Sequence, residues 1–205
     1  MKGIVKFIKE GGLKITSKTK VNKYNYHPKT KDELKNLINQ LIEERGNEGD
    51  FNDIDTSEIT DMSDLFNGID KFNGDISNWD VSNVVDMNSM FYGCKLFNQP
   101  LNNWDVSKVT DMNAMFYIGE SFNQDISKWN VSNVTDMFAM FFGCKSFNQP
   151  LAKWNVSKVI NMVAMFFSCI SFNQPLNNWN VSNVKNNNKI FYNCPIEEKY
   201  KPIFK

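Results

Sequence analysis

The chain has 205 residues, of which 41% are hydrophobic, so it is long enough to bury a sizeable core. Its 23 basic and 23 acidic residues balance, which argues against bulk binding to nucleic acid. No run of about 18 apolar residues occurs, so no transmembrane segment is predicted. The charge is uneven, however, because nine lysines and one glutamate give residues 1–31 a charge of +8.

Residues 1–29 are interpreted as a basic N-terminal arm. Ile4, Phe7 and Ile8 form a short apolar stripe among lysines, too short to be a stable helix alone. We therefore expect a docking peptide that orders against a partner or a lipid surface. The start lacks the small-residue cleavage site of a secretory signal peptide. The tetrapeptide at residues 8–11 is similar to the cleavage site that ends capsid-targeting peptides of some tailed phages.

A helix is predicted next, within residues 30–50. Thr30 and Glu33 have the spacing of a capping box, and Gly46 is suited to end the helix. Its apolar stripe needs a partner, so we expect this helix to cap the structure that follows. The stripe consists of Leu34, Leu37, Ile38, Leu41 and Ile42.

The body of the chain is repetitive, since five tryptophans recur every 25 residues. A fixed period of this length predicts units that stack on copies of themselves in a solenoid. The units extend over residues 51–194, and a tail follows at residues 195–205. The tryptophans are Trp79, Trp104, Trp129, Trp154 and Trp179.

The apolar residues of one unit follow leucine-rich-repeat spacing. Alternation over residues 103–106 predicts a short strand, and a stripe in the preceding unit predicts a two-turn helix capped by Asp86. The sequence therefore predicts an α/β solenoid: a leucine-rich-repeat-like right-handed superhelix of about six 25-residue coils, each with a short parallel strand and a short helix, and an N-terminal capping helix. The spaced residues are Leu101, Trp104, Val106, Val109 and Met112 for the first pattern, and Met87, Met90, Phe91 and Cys94 for the stripe.

The motif F-N-Q-[PD]-[LI]-x-x-W-[DN]-V-S-[NK]-V-T-D-M-x-x-M-F-x-x-C is complete from Phe122 to Cys144. It resembles the BspA-like leucine-rich-repeat surface proteins, which include the mycoplasma-type lipoprotein repeat. The resemblance implies a bacterial or phage-borne module for adhesion or protein interaction, at the cell surface or secreted and without assigned chemistry. Gly119 departs from the motif where other full units carry cysteine, so this unit is expected to pack or bend differently.

Three polar or reactive columns have structural interpretations. The column Cys94, Cys144, Cys169 and Cys194 predicts buried free thiols, because no histidine or paired C-x-x-C accompanies it. Stacked aspartates in the Asp86 column suggest calcium, but helix capping accounts for them without an ion. No cofactor or metal is predicted. The asparagines of the return turn are expected to form an internal ladder that satisfies backbone groups; they are Asn73, Asn98, Asn123, Asn148 and Asn173.

An enzyme is not predicted, since the single histidine, His27, is far in sequence from any candidate nucleophile and no catalytic motif occurs. Instead, the residues that flank each tryptophan are expected to point outward from the strands and to bind a protein or glycan partner. The alternative is a structural or assembly component of a phage particle, with self-association through coil ends. The predicted binding residues are Asn78, Asp80, Asn103, Asp105, Lys128, Asn130, Lys153, Asn155, Asn178 and Asn180.

Overall fold

The computed structural model describes residues 24–204, and its regular elements are one α-helix and one short 3₁₀ turn, Glu198–Tyr200. The helix, α1, runs over Lys31–Arg45, which confirms the predicted helix. The Thr30 hydroxyl accepts from the Glu33 N–H at 3.2 Å, and Gly46 ends the helix at φ 78°. The Glu33 carboxylate reaches back to the Lys29 N–H at 2.7 Å, one residue before the N-cap.

Helix α1 covers the N-terminal end of the repetitive body. Leu34, Ile38 and Leu41 are fully buried in the same apolar cluster as the first unit. At the end of the helix, Arg45 pairs with Asp53 at 2.8 Å, and this contact lowers the pKa of the Asp53 carboxyl. The apolar stripe of α1 therefore has its partner in the first unit.

The predicted α/β solenoid is wrong in its secondary structure. Residues 24–204 contain no strand and no α-helix other than α1, and residues 103–106 form no bridge to a neighbouring unit. The units are joined instead by a column of isolated parallel bridges, one at each interface. In each unit, the bridged residue lies five positions after the end of the predicted strand, as Asp111 does after residues 103–106. These bridges join Asp61, Asp86, Asp111, Asp136, Asn161 and Asn186 in succession.

Tight turns take the place of the predicted strands. The Trp104 N–H donates to the Leu101 carbonyl at 3.1 Å, and the Val109 N–H donates to the Val106 carbonyl at 3.0 Å. Each pair of buried residues three apart therefore lies at the two ends of a turn. Leucine-rich repeats produce the same spacing with a strand, so the spacing identified the buried residues but not the backbone conformation.

The predicted short helices are also turns. Met87, Met90, Phe91 and Cys94 are buried, as their spacing indicated. However, Ser89 has φ 53°, a left-handed conformation that interrupts a helix. The Met87 and Phe91 N–H groups donate to carbonyls of the next unit rather than to carbonyls one helical turn earlier. The left-handed residue recurs at Asp64, Ser89, Ala114, Ala139, Ala164 and Lys189.

Aromatic side chains form the core of the stack. Each tryptophan is no more than 5% exposed and donates its indole N–H to a carbonyl 28 residues earlier, at 3.0–3.3 Å. Phenylalanine rings from successive units lie nearly parallel, as Phe91 and Phe116 do at a centroid distance of 5.4 Å. Neighbouring units are thus held both by apolar packing and by a buried hydrogen bond.

The predicted asparagine ladder is confirmed. The Asn98 side-chain oxygen accepts from the Asn123 N–H at 2.9 Å, and the Asn123 oxygen accepts from the Asn148 N–H at 3.0 Å. A glutamine from the next unit binds the same oxygen, since Gln149 Nε2 lies 3.0 Å from Asn123 Oδ1. These amides therefore satisfy backbone groups at the return turn of each unit.

Candidate functional site

The polar face comprises the ten residues that the sequence predicted to bind a partner. All ten are exposed, and they occupy two rows on either side of the buried tryptophans. Since residues 24–204 contain no strand, this is a face built from turns rather than the predicted strand face. The two rows are Asn78, Asn103, Lys128, Lys153 and Asn178, and Asp80, Asp105, Asn130, Asn155 and Asn180.

The side chains in the second row of the polar face also accept hydrogen bonds from the backbone. The Asp105 carboxylate accepts the Ser107 N–H at 3.0 Å, and Asn130 accepts from Ser132 at 3.2 Å. Hydrogen bonds from the Ser107 side chain and backbone lower the pKa of the Asp105 carboxyl. These side chains form Asx turns, a role that the sequence interpretation missed although Asp-x-Ser and Asn-x-Ser are typical of such turns. The same contact recurs at Asp80, Asn155 and Asn180.

The first row of the polar face contains two adjacent lysines. Lys128 and Lys153 are exposed, and neither forms an ion pair with any residue between 24 and 204. Their units are neighbours, and the tryptophans that follow them, Trp129 and Trp154, have ring centroids 6.5 Å apart. Asp80 and Asp105 belong to earlier units. The polar face therefore changes from acidic to basic along the stack.

The aspartate column at the bridges does not cap helices as predicted. The Asp86 carboxylate instead accepts the Asn88 N–H at 2.8 Å in an Asx turn. Burial, followed by the neighbouring charges of Asp86 and Asp136, raises the pKa of the Asp111 carboxyl. The next residue in the column, Asn161, donates to both oxygens of Asp136. A neutral amide thus replaces the carboxylate where the column continues.

Replacing Asp111 with asparagine should stabilise the protein at pH 7. A carboxyl whose pKa is raised on folding favours the folded state at low pH and opposes it once pH rises through the folded pKa. The variant should gain roughly 0.5–1 kcal/mol at pH 7, the scale of partly exposed charge interactions. The gain should disappear below the ordinary aspartate pKa of 3.8. Urea unfolding between pH 3 and pH 7 measures it.

Asp105→Asn is the matched control, because the pKa of Asp105 is lowered rather than raised. A lowered pKa stabilises the folded state above the unfolded value, and that contribution is lost as pH falls through the folded pKa. Asp105→Asn should therefore destabilise the protein at pH 7 and converge with the wild type in acid. A stability loss for both variants at pH 7 would contradict the raised pKa of the Asp111 carboxyl.

The cysteine column consists of free thiols. Cys94, Cys144 and Cys169 are buried as predicted, whereas Cys194 is half-buried. Cys94 Sγ lies 3.1 Å from the Phe66 carbonyl oxygen, so its thiol donates within the core. Burial raises the pKa of the Cys94 thiol to about 12. The thiols therefore pack as small apolar groups in their protonated form.

A row of partly exposed aromatic rings follows one edge of the stack and was not identified from the sequence. Successive rings are parallel, at centroid distances of 4.5–4.7 Å. Each inner ring has both faces against its neighbours, so only ring edges reach solvent. A sugar therefore cannot stack on the faces of the inner rings. The recurrent Phe-Tyr and Phe-Phe pairs in the sequence could have indicated this row. The rings are Tyr92, Tyr117, Phe142, Phe167 and Tyr192.

The single histidine of the chain lies beside an acidic residue of the first unit. His27 Nδ1 lies 3.2 Å from the Asp55 carboxylate, at the edge of the first unit. Within residues 24–204, no group of three or more histidine, cysteine, aspartate or glutamate side chains is placed to hold a metal ion. The predicted docking peptide, Ile4, Phe7 and Ile8, lies outside the described residues.

The fold and its surface define a protein of stacked 25-residue units, held together by indoles, phenylalanines and an amide ladder. The chain belongs to the family described as Mycoplasma protein of unknown function, DUF285, whose model matches residues 33–149 and 119–200. Comparison with curated proteins gave no match, and comparison with solved structures gave none either. In the described part of the chain, no helix is long and apolar enough to cross a bilayer.

Proposed function

We propose that this protein is a non-enzymatic interaction module of the BspA-like type, which binds a protein or glycan partner through the polar face. The observation that carries the proposal is that all ten residues of this face are exposed beside a column of buried indoles, each hydrogen-bonded to a backbone carbonyl. Amides, acids and amines in two parallel rows offer donors and acceptors at a regular spacing. Such a surface is suited to an extended, hydrogen-bonded partner.

Among the residues of this face, Lys128 and Lys153 have the side chains least used by contacts within the protein. The carboxylates and amides of the second row already accept a backbone N–H, so part of their capacity is used. The two lysines have no ion pair in the described structure. A partner that approaches them with acidic or hydroxyl groups would therefore gain contacts without breaking existing ones.

A glycan array and a protein pull-down from host surface extracts would identify the partner, and the double variant Lys128→Gln/Lys153→Gln would test the face. We expect at least about a tenfold loss of affinity, because central contacts carry most of the binding energy. Lys71→Gln/Lys95→Gln is the matched control, since it removes the same charge from two exposed lysines outside the polar face that form no ion pair in the described structure. Equal binding by wild type and Lys128→Gln/Lys153→Gln would rule out this face.

The alternative function concerns the N-terminal arm. Residues 1–10 combine an apolar stripe with lysines and end in a sequence similar to a phage processing site. In this alternative the protein is a component of a phage particle, and residues 1–10 are its targeting peptide. Mass spectrometry of mature particles tests it: cleavage after Glu10 is expected, and an intact Met1 would contradict it.

A further inference from the structure

The C-terminal end of the stack has a row of backbone donors without acceptors. At every earlier interface, four N–H groups at alternate residues donate to carbonyls of the next unit. At the last interface, they belong to Met162, Ala164, Phe166 and Ser168, at 2.8–2.9 Å. The equivalent groups of the last unit donate to no acceptor within residues 24–204. These open donors, termed the C-terminal edge, are the N–H groups of Asn187, Lys189, Phe191 and Asn193.

The side chains of the last unit are less completely covered in the same region than those of earlier units. Phe191 is only partly buried, whereas Phe166, its equivalent one unit earlier, is fully buried. The tail covers this unit only in part: the Leu176 N–H donates to the Tyr200 carbonyl at 2.8 Å, and Lys201 Nζ lies 5.9 Å from the centroid of the Phe191 ring. An open depression of about 310 Å³, lined by Ile170, Asn193, Cys194 and Pro195, lies at one end of this edge. The C-terminal edge therefore has both the backbone donors and the partly exposed side chains on which one more segment of polypeptide could pack.

A second copy of the chain cannot supply that layer with its first unit. The carbonyls that would complement the edge belong to the first unit, at the end that α1 covers. Lys31 Nζ lies 3.2 Å from the Asp61 carboxylate, and Lys35 Nζ lies 2.8 Å from the Asp64 carbonyl oxygen. Helix α1 therefore blocks head-to-tail stacking between copies.

The charge at the edge indicates the chemistry of the partner. Lys185 and Lys189 flank the open donors and form no ion pair in the described structure. The residues at the same positions one unit earlier, Ile160 and Ala164, are uncharged. Lysines on an open edge disfavour pairing with a neutral or basic segment of polypeptide. An acidic segment is therefore the favoured partner for this edge.

We propose that the C-terminal edge binds an acidic segment of another polypeptide, which adds to the stack as a further layer. Four alternate carbonyls of that segment accept from the open N–H groups, and its acidic side chains face Lys185 and Lys189. This is backbone augmentation, in which main-chain hydrogen bonds give affinity and flanking charges give selectivity. The edge is separate from the polar face, so each site can bind without the other.

A peptide with the sequence of residues 86–93, acetylated and amidated, is a suitable probe. In the stack, its Asp86, Asn88, Met90 and Tyr92 carbonyls accept from the preceding unit in this manner, and it begins with an acid. Two-dimensional NMR of the full chain with millimolar peptide should show shifts and slowed hydrogen exchange at the four open amides. A peptide with lysine in place of its aspartate should bind more weakly.

Charge reversal on the protein locates the site. Lys185→Glu/Lys189→Glu should weaken the peptide about tenfold, because its single aspartate then faces two carboxylates in place of two amines. Lys71→Glu/Lys95→Glu, at two exposed lysines outside both the polar face and the C-terminal edge, is the control and should leave peptide binding unchanged. The proposal is overturned if the four amides do not respond, if the charge-reversed peptide binds equally well, or if protection follows protein concentration without peptide, since a second copy would then be the occupant.

Discussion

Replacing Trp129 with alanine is expected to destabilise the protein by about 3–5 kcal/mol, the range for truncation of a large buried aromatic side chain. Trp129 is 4% exposed and lies between two aromatic neighbours, with ring centroids 6.4 Å from Phe116 and 6.5 Å from Trp154. Its indole N–H donates to the Leu101 carbonyl at 3.0 Å. The substitution therefore removes apolar packing and leaves a buried acceptor unpaired.

Two further variants separate these contributions. Trp129→Phe keeps an aromatic ring but loses the indole donor, so it should cost about 1–3 kcal/mol, the penalty for an unsatisfied buried group. Tyr192→Ala removes a ring that is 59% exposed and should cost under about 1 kcal/mol. Urea unfolding followed by the fluorescence of the remaining indoles measures all three. A loss for Trp129→Ala no larger than that for Tyr192→Ala would contradict the role of the indole column.

The second large effect is expected at the asparagine ladder. Asn123→Ala removes the acceptor for the Asn148 N–H and for the Gln149 side chain. Leaving a partly buried donor unpaired should cost about 1–3 kcal/mol. The Asn148 amide should also exchange with solvent much faster, because it loses its acceptor in the native state. Unfolding experiments and hydrogen exchange measure the two effects separately.

Asn123→Asp tests whether the oxygen is the essential group. The aspartate retains an acceptor in the same position, so the Asn148 amide should stay protected and the stability loss should be smaller than for alanine. Asn103→Ala serves as a control, because this exposed amide accepts only from the side chain of Asn102 in the described structure. Equal losses at Asn123→Ala and Asn103→Ala would show that the ladder contributes nothing to stability.

The sequence was a sufficient guide to which residues are buried. The spacing of Trp104, Val106 and Val109 placed these side chains in the core, and they are buried. The same spacing did not predict the backbone conformation, because a buried residue at every third position is compatible with a turn as well as with a strand followed by a corner. The left-handed residue within each predicted helix, such as Ala114 at φ 51°, has no glycine to announce it. Only the contacts with neighbouring units hold it in that conformation.

The polar face illustrates the same division. Its residues were predicted to be exposed from their position beside tryptophan, and they are exposed. That the Asp105 carboxylate also holds the Ser107 N–H was not inferred, since the turn it stabilises was taken for a strand. The C-terminal edge has only a weak sequence signal, the Asn186-Asn187 pair that replaces Asp-Met. Open backbone donors have no side-chain signature.

By itself, the sequence determined the 25-residue period, the helix at Lys31–Arg45, the buried residues and the asparagine ladder. These follow from apolar spacing, capping residues and recurrent amides, which are local properties of the chain. The tertiary structure alone decided that the units are built from turns and that their N–H groups point toward the next unit. The physical reason is that those hydrogen bonds join residues 24 apart, so their direction depends on how units stack and not on any local preference.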